Sequence, residues 1–126
     1  MKFNFTYSVI GFFIVAIAAG LIVKTVQKSG PGEYDDFAAC LTDNGAVMYG
    51  ADWCSNCQAQ KKMFGKSFEY IDYVQCDIEP EKCEAEGIEG YPTWKNNSGM
   101  EGTLVGRGVQ PLQDLANAFA CELPVF

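Results

Sequence analysis

The apolar and polar residues divide the chain into an apolar N-terminal run and a mixed domain. The run covers residues 7–23 and is bounded by Lys2 and Lys24. A membrane-spanning helix needs roughly 17–25 apolar residues, so we predict one transmembrane helix, an uncleaved signal-anchor, at residues 1–26. Cleavage is one alternative, because residues 16–18 have the small-x-small pattern of a signal-peptide site. A buried helix of a soluble protein is the other.

Beyond a flexible linker at residues 27–32, the domain at residues 33–126 alternates between helical and extended patterns. The predicted elements are a helix at 37–41, a buried strand at 46–50, a helix at 58–66, a strand at 70–78, a short acidic helix at 81–86, a hairpin of strands at 93–95 and 103–105, and a final helix that begins at Pro111. A helical crossover makes the first two strands parallel, and the hairpin adds an antiparallel edge. The pattern predicts an α/β domain with a mixed sheet of about four strands and flanking helices.

The composition excludes several classes of partner, catalytic group and metal site for this domain. The chain is 48% hydrophobic and carries a net charge of −7, so we expect a packed core and no nucleic-acid partner. It contains no histidine, which removes histidine acid–base catalysis and any zinc site that needs imidazole. Six cysteines in 126 residues indicate an oxidising compartment. We therefore expect a domain that faces the periplasm or the extracellular side and uses no metal and no cofactor.

The candidate chemistry lies in Cys54 and Cys57, which are two thiols at the turn from a predicted strand to a predicted helix. A sulfur at the first turn of a helix faces unpaired N–H groups and the positive end of the helix dipole. Both favour a thiolate, which is the nucleophile in disulfide exchange. We expect Cys54 to be the exposed nucleophile and Cys57 to be the resolving thiol. A static disulfide and half of a zinc site are the alternatives.

The domain resembles the thioredoxin fold over roughly residues 33–121. The resemblance rests on the element order, on Trp53-Cys54-x-x-Cys57 after the first strand, and on the later Tyr91-Pro92-Thr93. Three stretches, MYGADWC at 48–54, QKKMFG at 60–65 and GYPTW at 90–94, resemble the thioredoxin-like domain associated with vitamin K epoxide reductase homologues.

The resemblance implies a function and a set of partners. In that family the domain exchanges disulfides between secreted proteins with cysteines and a membrane reductase that passes electrons to quinone. It implies that this chain, with its single apolar run, is a separate membrane-anchored partner of such a reductase.

The resemblance also implies roles for three residues around the dithiol. Pro92 is expected to be a cis-proline beside the two thiols, and the backbone of Tyr91 is expected to pair with an extended substrate. Trp53 is expected to shield the dithiol and to contact partners, with ordinary core packing as the alternative. Asp52 is expected to be solvated.

The other four cysteines are candidates for structural disulfides. Cys76 and Cys83 enclose a short turn that contains Pro80, and the resembled branch has a pair in this region. A second redox relay is the functional alternative for this pair. Cys40 and Cys121 could pair by elimination. We expect the first and last helices of such a fold to cover opposite faces of the sheet, which speaks against this bond and leaves a buried free thiol and an intermolecular one as the alternative.

One departure from the thioredoxin pattern leaves the direction of electron flow open. Many thioredoxins have a buried carboxylate six residues before the first cysteine, and this chain has Met48 there. The resembled branch favours an extracytoplasmic thiol–disulfide oxidoreductase that oxidises its clients. A membrane-anchored disulfide reductase and a non-catalytic binding module with the same fold are the alternatives.

Overall fold

The computed structural model describes residues 30–99 and 102–126. The predicted anchor at residues 1–26 and the first half of the predicted linker at 27–32 lie outside the described residues. Within these two ranges, no helix has the length and apolar character that a membrane crossing requires.

The secondary structure follows the predicted order. The elements are α1 (Asp35–Asp43), β1 (Ala46–Gly50), α2 (Ser55–Phe64), a 3-10 helix (Gly65–Tyr70), β2 (Asp72–Gln75), α3 (Pro80–Ala85), β3 (Thr93–Asn96), β4 (Thr103–Arg107) and α4 (Leu112–Phe119). The bounds of β1 agree with the prediction. The strand predicted at 70–78 is shorter, because the 3-10 helix includes Tyr70 and a turn begins at Cys76.

The four strands form one mixed sheet in the order β2-β1-β3-β4. Strands β1 and β2 are parallel, whereas β1 pairs with β3 and β3 pairs with β4 in antiparallel fashion. Met48 of β1 lies opposite Tyr73 of β2 and Trp94 of β3. This sheet with its flanking helices is a thioredoxin-like α/β fold, so the predicted fold class of the domain is confirmed.

The main hydrophobic core lies on one face of the sheet. Buried side chains of α1, α2 and α4 pack there together with Met48 and Trp94. The expectation that the first and last helices cover opposite faces is therefore wrong. The apolar stripes of both helices, which include Phe37 and Phe119, belong to the same cluster.

The domain contains two disulfides, one between cysteines far apart in the sequence and one between cysteines close together. Cys40 of α1 is bonded to Cys121, with 6.0 Å between the Cα atoms and 81 residues of separation. The chain reaches this position because Ala120 adopts a left-handed conformation (φ 52°) directly after α4. Cys76 and Cys83 are bonded across 5.7 Å between their Cα atoms. The structure therefore contains both pairings that the sequence suggested, and the free and intermolecular thiols are not seen.

Candidate active site

Cys54 occupies the N-cap of α2. The chain leaves β1 at Gly50 and turns so that the Cys54 N–H donates to the Ala51 carbonyl oxygen at 3.2 Å. Cys54 is extended (φ −78°, ψ 118°), and its Sγ accepts the backbone N–H of Cys57 at 3.2 Å. An N-cap serine or aspartate oxygen normally accepts such a bond. Here the sulfur takes that place at the N-terminus of α2.

The two thiols differ in burial, in the order that the sequence predicted. Both are free, and Cys54 is 9% exposed whereas Cys57 is fully buried. Burial, followed by the hydrogen bond with Cys54, raises the pKa of Cys57 to about 11. Cys57 is therefore a thiol at neutral pH, and it must lose its proton before it can attack a disulfide.

The loop before β3 brings Tyr91 and Pro92 to the dithiol. The Tyr91–Pro92 peptide bond is cis, which agrees with the expectation from the sequence. The Cys54 thiol donates to the Tyr91 carbonyl oxygen at 3.7 Å. The loop is held by the Thr93 hydroxyl, which donates to the Gly90 carbonyl at 2.7 Å, and by the Gly108 N–H, which donates to the Pro92 carbonyl at 2.7 Å. Backbone polar groups therefore lie beside the reactive sulfur.

Trp53 lies on the surface next to Cys54. Its side chain is 73% exposed, so the alternative of ordinary core packing is wrong. The ring stands edge-on to Tyr91, with 5.9 Å between the ring centroids and 80° between the planes. The two rings form an aromatic surface beside the sulfur, and such a surface suits contact with apolar side chains.

Lys61 extends the site toward the interior. It lies one helical turn after Cys57, and its Nζ is 3.0 Å from the Asp52 carboxylate. Asp52 is exposed to solvent, as expected, and is also ion-paired with Lys61. The same Nζ lies 4.1 Å from the ring centroid of Tyr73, and its charge lowers the pKa of Cys57 against the larger effect of burial. Lys61 was not singled out from the sequence, although its position four residues after Cys57 on a helix was a usable signal.

Gly50 and Tyr73 surround the buried sulfur. A Cβ atom added to Gly50 would lie 2.8 Å from Cys57 Sγ and 3.1 Å from the Tyr73 ring. Only a residue without a side chain therefore allows the sulfur and the ring to approach β1 this closely. Neither residue was singled out from the sequence, because the contact depends on the pairing of β1 with β2.

Gln60 links α2 to the loop before α4. It is fully buried, its amide oxygen accepts from the Trp94 indole N–H (3.3 Å) and the Gln110 N–H (2.6 Å), and its amide nitrogen donates to the Gln110 carbonyl (3.0 Å). A buried amide with this many partners stabilises one arrangement of the elements. No sequence signal distinguishes Gln60 from the exposed glutamines nearby.

The described ranges contain no group of three or more His, Cys, Asp or Glu side chains that could hold a metal ion. The Cys54 sulfur faces the helix terminus and the Tyr91 carbonyl.

Comparisons with known proteins add sequence relatives. No family model matches the chain. The chain is 43% identical over 63 residues to thiol–disulfide oxidoreductase LTO1 of Arabidopsis thaliana, an alignment that covers 43% of this chain and 17% of that protein. It is 24% identical over 95 residues to a protein disulfide-isomerase of Aspergillus niger, with 68% and 18% covered. The chain thus spans less than a fifth of the length of either relative.

Solved thioredoxin structures are also similar to the chain. A Plasmodium falciparum thioredoxin has 26% identity and a TM-score of 0.42, and covers 60% of this chain and 67% of its own. Mitochondrial thioredoxin 3 of Saccharomyces cerevisiae has 18% identity and a TM-score of 0.43, with 68% and 86% covered. By its own sheet order and helices the described domain has a thioredoxin-like fold, and its sequence relatives include proteins named for disulfide exchange.

Proposed function

We propose that this chain is a membrane-anchored thiol–disulfide oxidoreductase that acts outside the cytoplasm through Cys54 and Cys57. The observation that carries the proposal is the placement of Cys54 Sγ. It lies between the Cys57 N–H at 3.2 Å and the Tyr91 carbonyl at 3.7 Å, beside an exposed tryptophan. The N–H can donate a hydrogen bond to the sulfur during exchange, and the backbone of Tyr91, beside the sulfur, would pair with an extended client segment.

In the oxidising direction the reaction starts from the Cys54–Cys57 disulfide. A client thiolate attacks Cys54 Sγ, the Cys54–Cys57 bond breaks, and the Cys57 sulfur leaves as a thiolate. Because the pKa of Cys57 is raised to about 11, this thiolate takes a proton at neutral pH. A second client thiolate then attacks the client sulfur of the mixed disulfide and releases Cys54. The client loses two electrons, and the chain gains them as a dithiol.

The location and the membrane partner are supported by the sequence and the extra disulfides. The apolar run at residues 7–23 suits an anchor, and the two disulfides outside the active site are typical of oxidising compartments. The resemblance to the domain associated with vitamin K epoxide reductase homologues suggests that a quinone-linked membrane reductase reoxidises the dithiol. The quinone would belong to that partner, and the chain itself would carry no cofactor.

A trapping experiment tests the enzymatic role. In the Cys57→Ala variant the mixed disulfide with a client cannot be resolved, so we expect covalent adducts that thiols release. They should be detected by non-reducing electrophoresis and mass spectrometry from the native host. The matched control is the Cys54→Ala, Cys57→Ala double variant, which should form none. Equal adduct levels in the two variants would instead support a non-catalytic binding module.

The reduction potential tests the direction of electron flow. Equilibration of the purified domain with glutathione should give a reduction potential of about −120 mV if the chain oxidises its clients. A reduction potential of about −270 mV would show that the chain works as a reductase. Identification of the trapped proteins would show whether a membrane reductase is among the partners.

A further inference from the structure

The hydroxyl of Tyr73 is buried and has no hydrogen-bond partner in the described ranges. Tyr73 lies on β2 opposite Met48, so its ring enters the main core beside α2. A buried donor without a partner costs roughly 1–3 kcal/mol. Such a group in a folded protein needs an explanation, and its position relative to the dithiol provides one.

The hydroxyl and the buried sulfur border the same small space above Gly50. A Cβ atom on Gly50 would be 2.8 Å from Cys57 Sγ and 3.3 Å from Tyr73 Oη. Burial, followed by the charge of Cys57, raises the pKa of Tyr73. The phenol therefore keeps its proton at any pH at which a disulfide-exchange protein works, and it can act as a donor to a nearby anion.

The charged and titratable groups around this space are few. Those that act on Cys57 or Tyr73 are Cys54, Lys61, Asp52 and Asp77. Of these only Lys61 favours a negative charge on the Cys57 sulfur, and its Nζ lies against the Tyr73 ring. Met48 brings no carboxylate to the site. The backbone of Ala51 also lowers the pKa of Cys57 through a hydrogen bond. Among the side chains, the hydroxyl of Tyr73 and the charge of Lys61 are thus the groups available to stabilise a thiolate at Cys57.

We propose that Tyr73 is a positioning residue for the resolving step, whose hydroxyl donates a hydrogen bond to the Cys57 thiolate while Lys61 supplies the compensating charge. The proposal rests on the proposed disulfide exchange, and it deepens that function. It holds for both directions of electron flow, since Cys57 is a thiolate both when it attacks and when it leaves.

In the resolving step one disulfide forms as another breaks. The Cys57 thiol gives its proton to water, and the thiolate attacks the Cys54 sulfur of the mixed disulfide. The Cys54–Cys57 bond forms, and the bond between Cys54 and the client sulfur breaks. The client thiolate takes a proton from water. Tyr73 keeps its proton throughout, so it stabilises the anion without acting as an acid or a base.

The test is a single-turnover reaction with a bis(nitrobenzoate) disulfide reagent, followed by stopped-flow absorbance. The first thionitrobenzoate released reports attack by Cys54, and the second reports attack by Cys57 on the adduct. The two phases are measured across pH for the Tyr73→Phe variant, which removes only the hydroxyl. The matched control is Tyr70→Phe, because Tyr70 is 45% exposed and lies three residues before Tyr73 in the chain.

We expect Tyr73→Phe to raise the pH midpoint of the second phase by about one unit, which is the size of a hydrogen bond to a charged group. At neutral pH the second phase should slow by roughly threefold, because tenfold less thiolate is partly offset by its higher nucleophilicity. The first phase and the Tyr70→Phe protein should not change. An unchanged pH midpoint in Tyr73→Phe, even with a lower melting temperature, would reduce Tyr73 to a packing role and overturn the proposal.

The role of Lys61 has its own pair of variants. Lys61→Gln should raise the pH midpoint of the second phase, whereas Lys62→Gln, on the exposed side of the same helix, should not. If both lysine variants behave alike, the proposed role of Lys61 is wrong. The reagent needs no client protein, so a failure of the trapping experiment would leave these readouts intact.

Discussion

Gly50 shows how one residue without a side chain shapes the site. It ends β1, and the space that a Cβ atom would fill is taken by the Cys57 sulfur and the Tyr73 ring. The sulfur belongs to a short side chain on α2, and the half-buried ring packs against the main core. The absence of a side chain at Gly50 therefore lets the phenol and the sulfur border the same space.

Replacement of Gly50 by Ala should therefore destabilise the domain. Overpacking of a filled core typically costs about 1–3 kcal/mol, and we expect a loss of free energy of unfolding in this range, measured by urea titration. Gly90→Ala is the matched control, since nothing lies within 4 Å of its added Cβ. Equal stability of Gly50→Ala and the wild-type protein would show that the sulfur and the ring move apart without cost.

Helix α2 is capped by the reactive Cys54 and contains the buried Gln60, whose hydrogen bonds fix the position of the helix. Its N-cap is Cys54, and two turns later Gln60 connects it to Trp94 on β3 and to Gln110 before α4. The loop that contains Gln110 also holds Pro92 through the Gly108 N–H. The hydrogen bonds of one buried side chain therefore join the dithiol helix to both segments that surround the site.

The Gln60→Leu variant should lower the free energy of unfolding, because it removes the hydrogen bonds that join these elements. The change keeps the volume but leaves the Trp94 N–H and both backbone groups of Gln110 without their partner. With about 1–3 kcal/mol for each unsatisfied buried group, relaxation included, we expect a loss of roughly 2–4 kcal/mol in urea unfolding. Gln113→Leu, on the exposed side of α4, should stay within about 0.5 kcal/mol. Similar losses in the two variants would show that the network adds little.

At the scale of the whole molecule, the disulfides close loops of very different size. The bond between Cys40 and Cys121 spans 81 residues and connects α1 to the segment after α4. The bond between Cys76 and Cys83 spans only 7. In the chain-entropy description a disulfide stabilises by restricting the unfolded chain, and the effect grows with loop length.

The two disulfides should therefore contribute unequally to stability. Replacement of Cys40 and Cys121 by Ala should lower the free energy of unfolding by roughly 4 kcal/mol, and replacement of Cys76 and Cys83 by about 2 kcal/mol. Urea unfolding of the two double variants, each with the other disulfide intact, measures the difference. A larger loss for the short loop would mean that native contacts, and not chain entropy, dominate the effect.

The sequence by itself determined the local features of this protein. The order of helices and strands, the bounds of β1, and the placement of Cys54 and Cys57 at a strand-to-helix turn followed from periodicity and turn residues, which act over a few positions. The deeper burial of Cys57 than of Cys54 followed from their order at the start of the helix. Membrane anchoring, location and partners remain predictions.

Only the tertiary structure decided what surrounds the buried thiol. The shared face of α1 and α4, which allows Cys40 to reach Cys121, depends on how the helices pack and not on either helix alone. The approach of Tyr73 to the space beside Cys57 depends on the register of β1 against β2, which places Tyr73 opposite Met48. Residues distant in the chain meet through such pairing, and local patterns contain no measure of those distances. The sequence therefore located the dithiol, and the packing of β2 against α2 determined its environment.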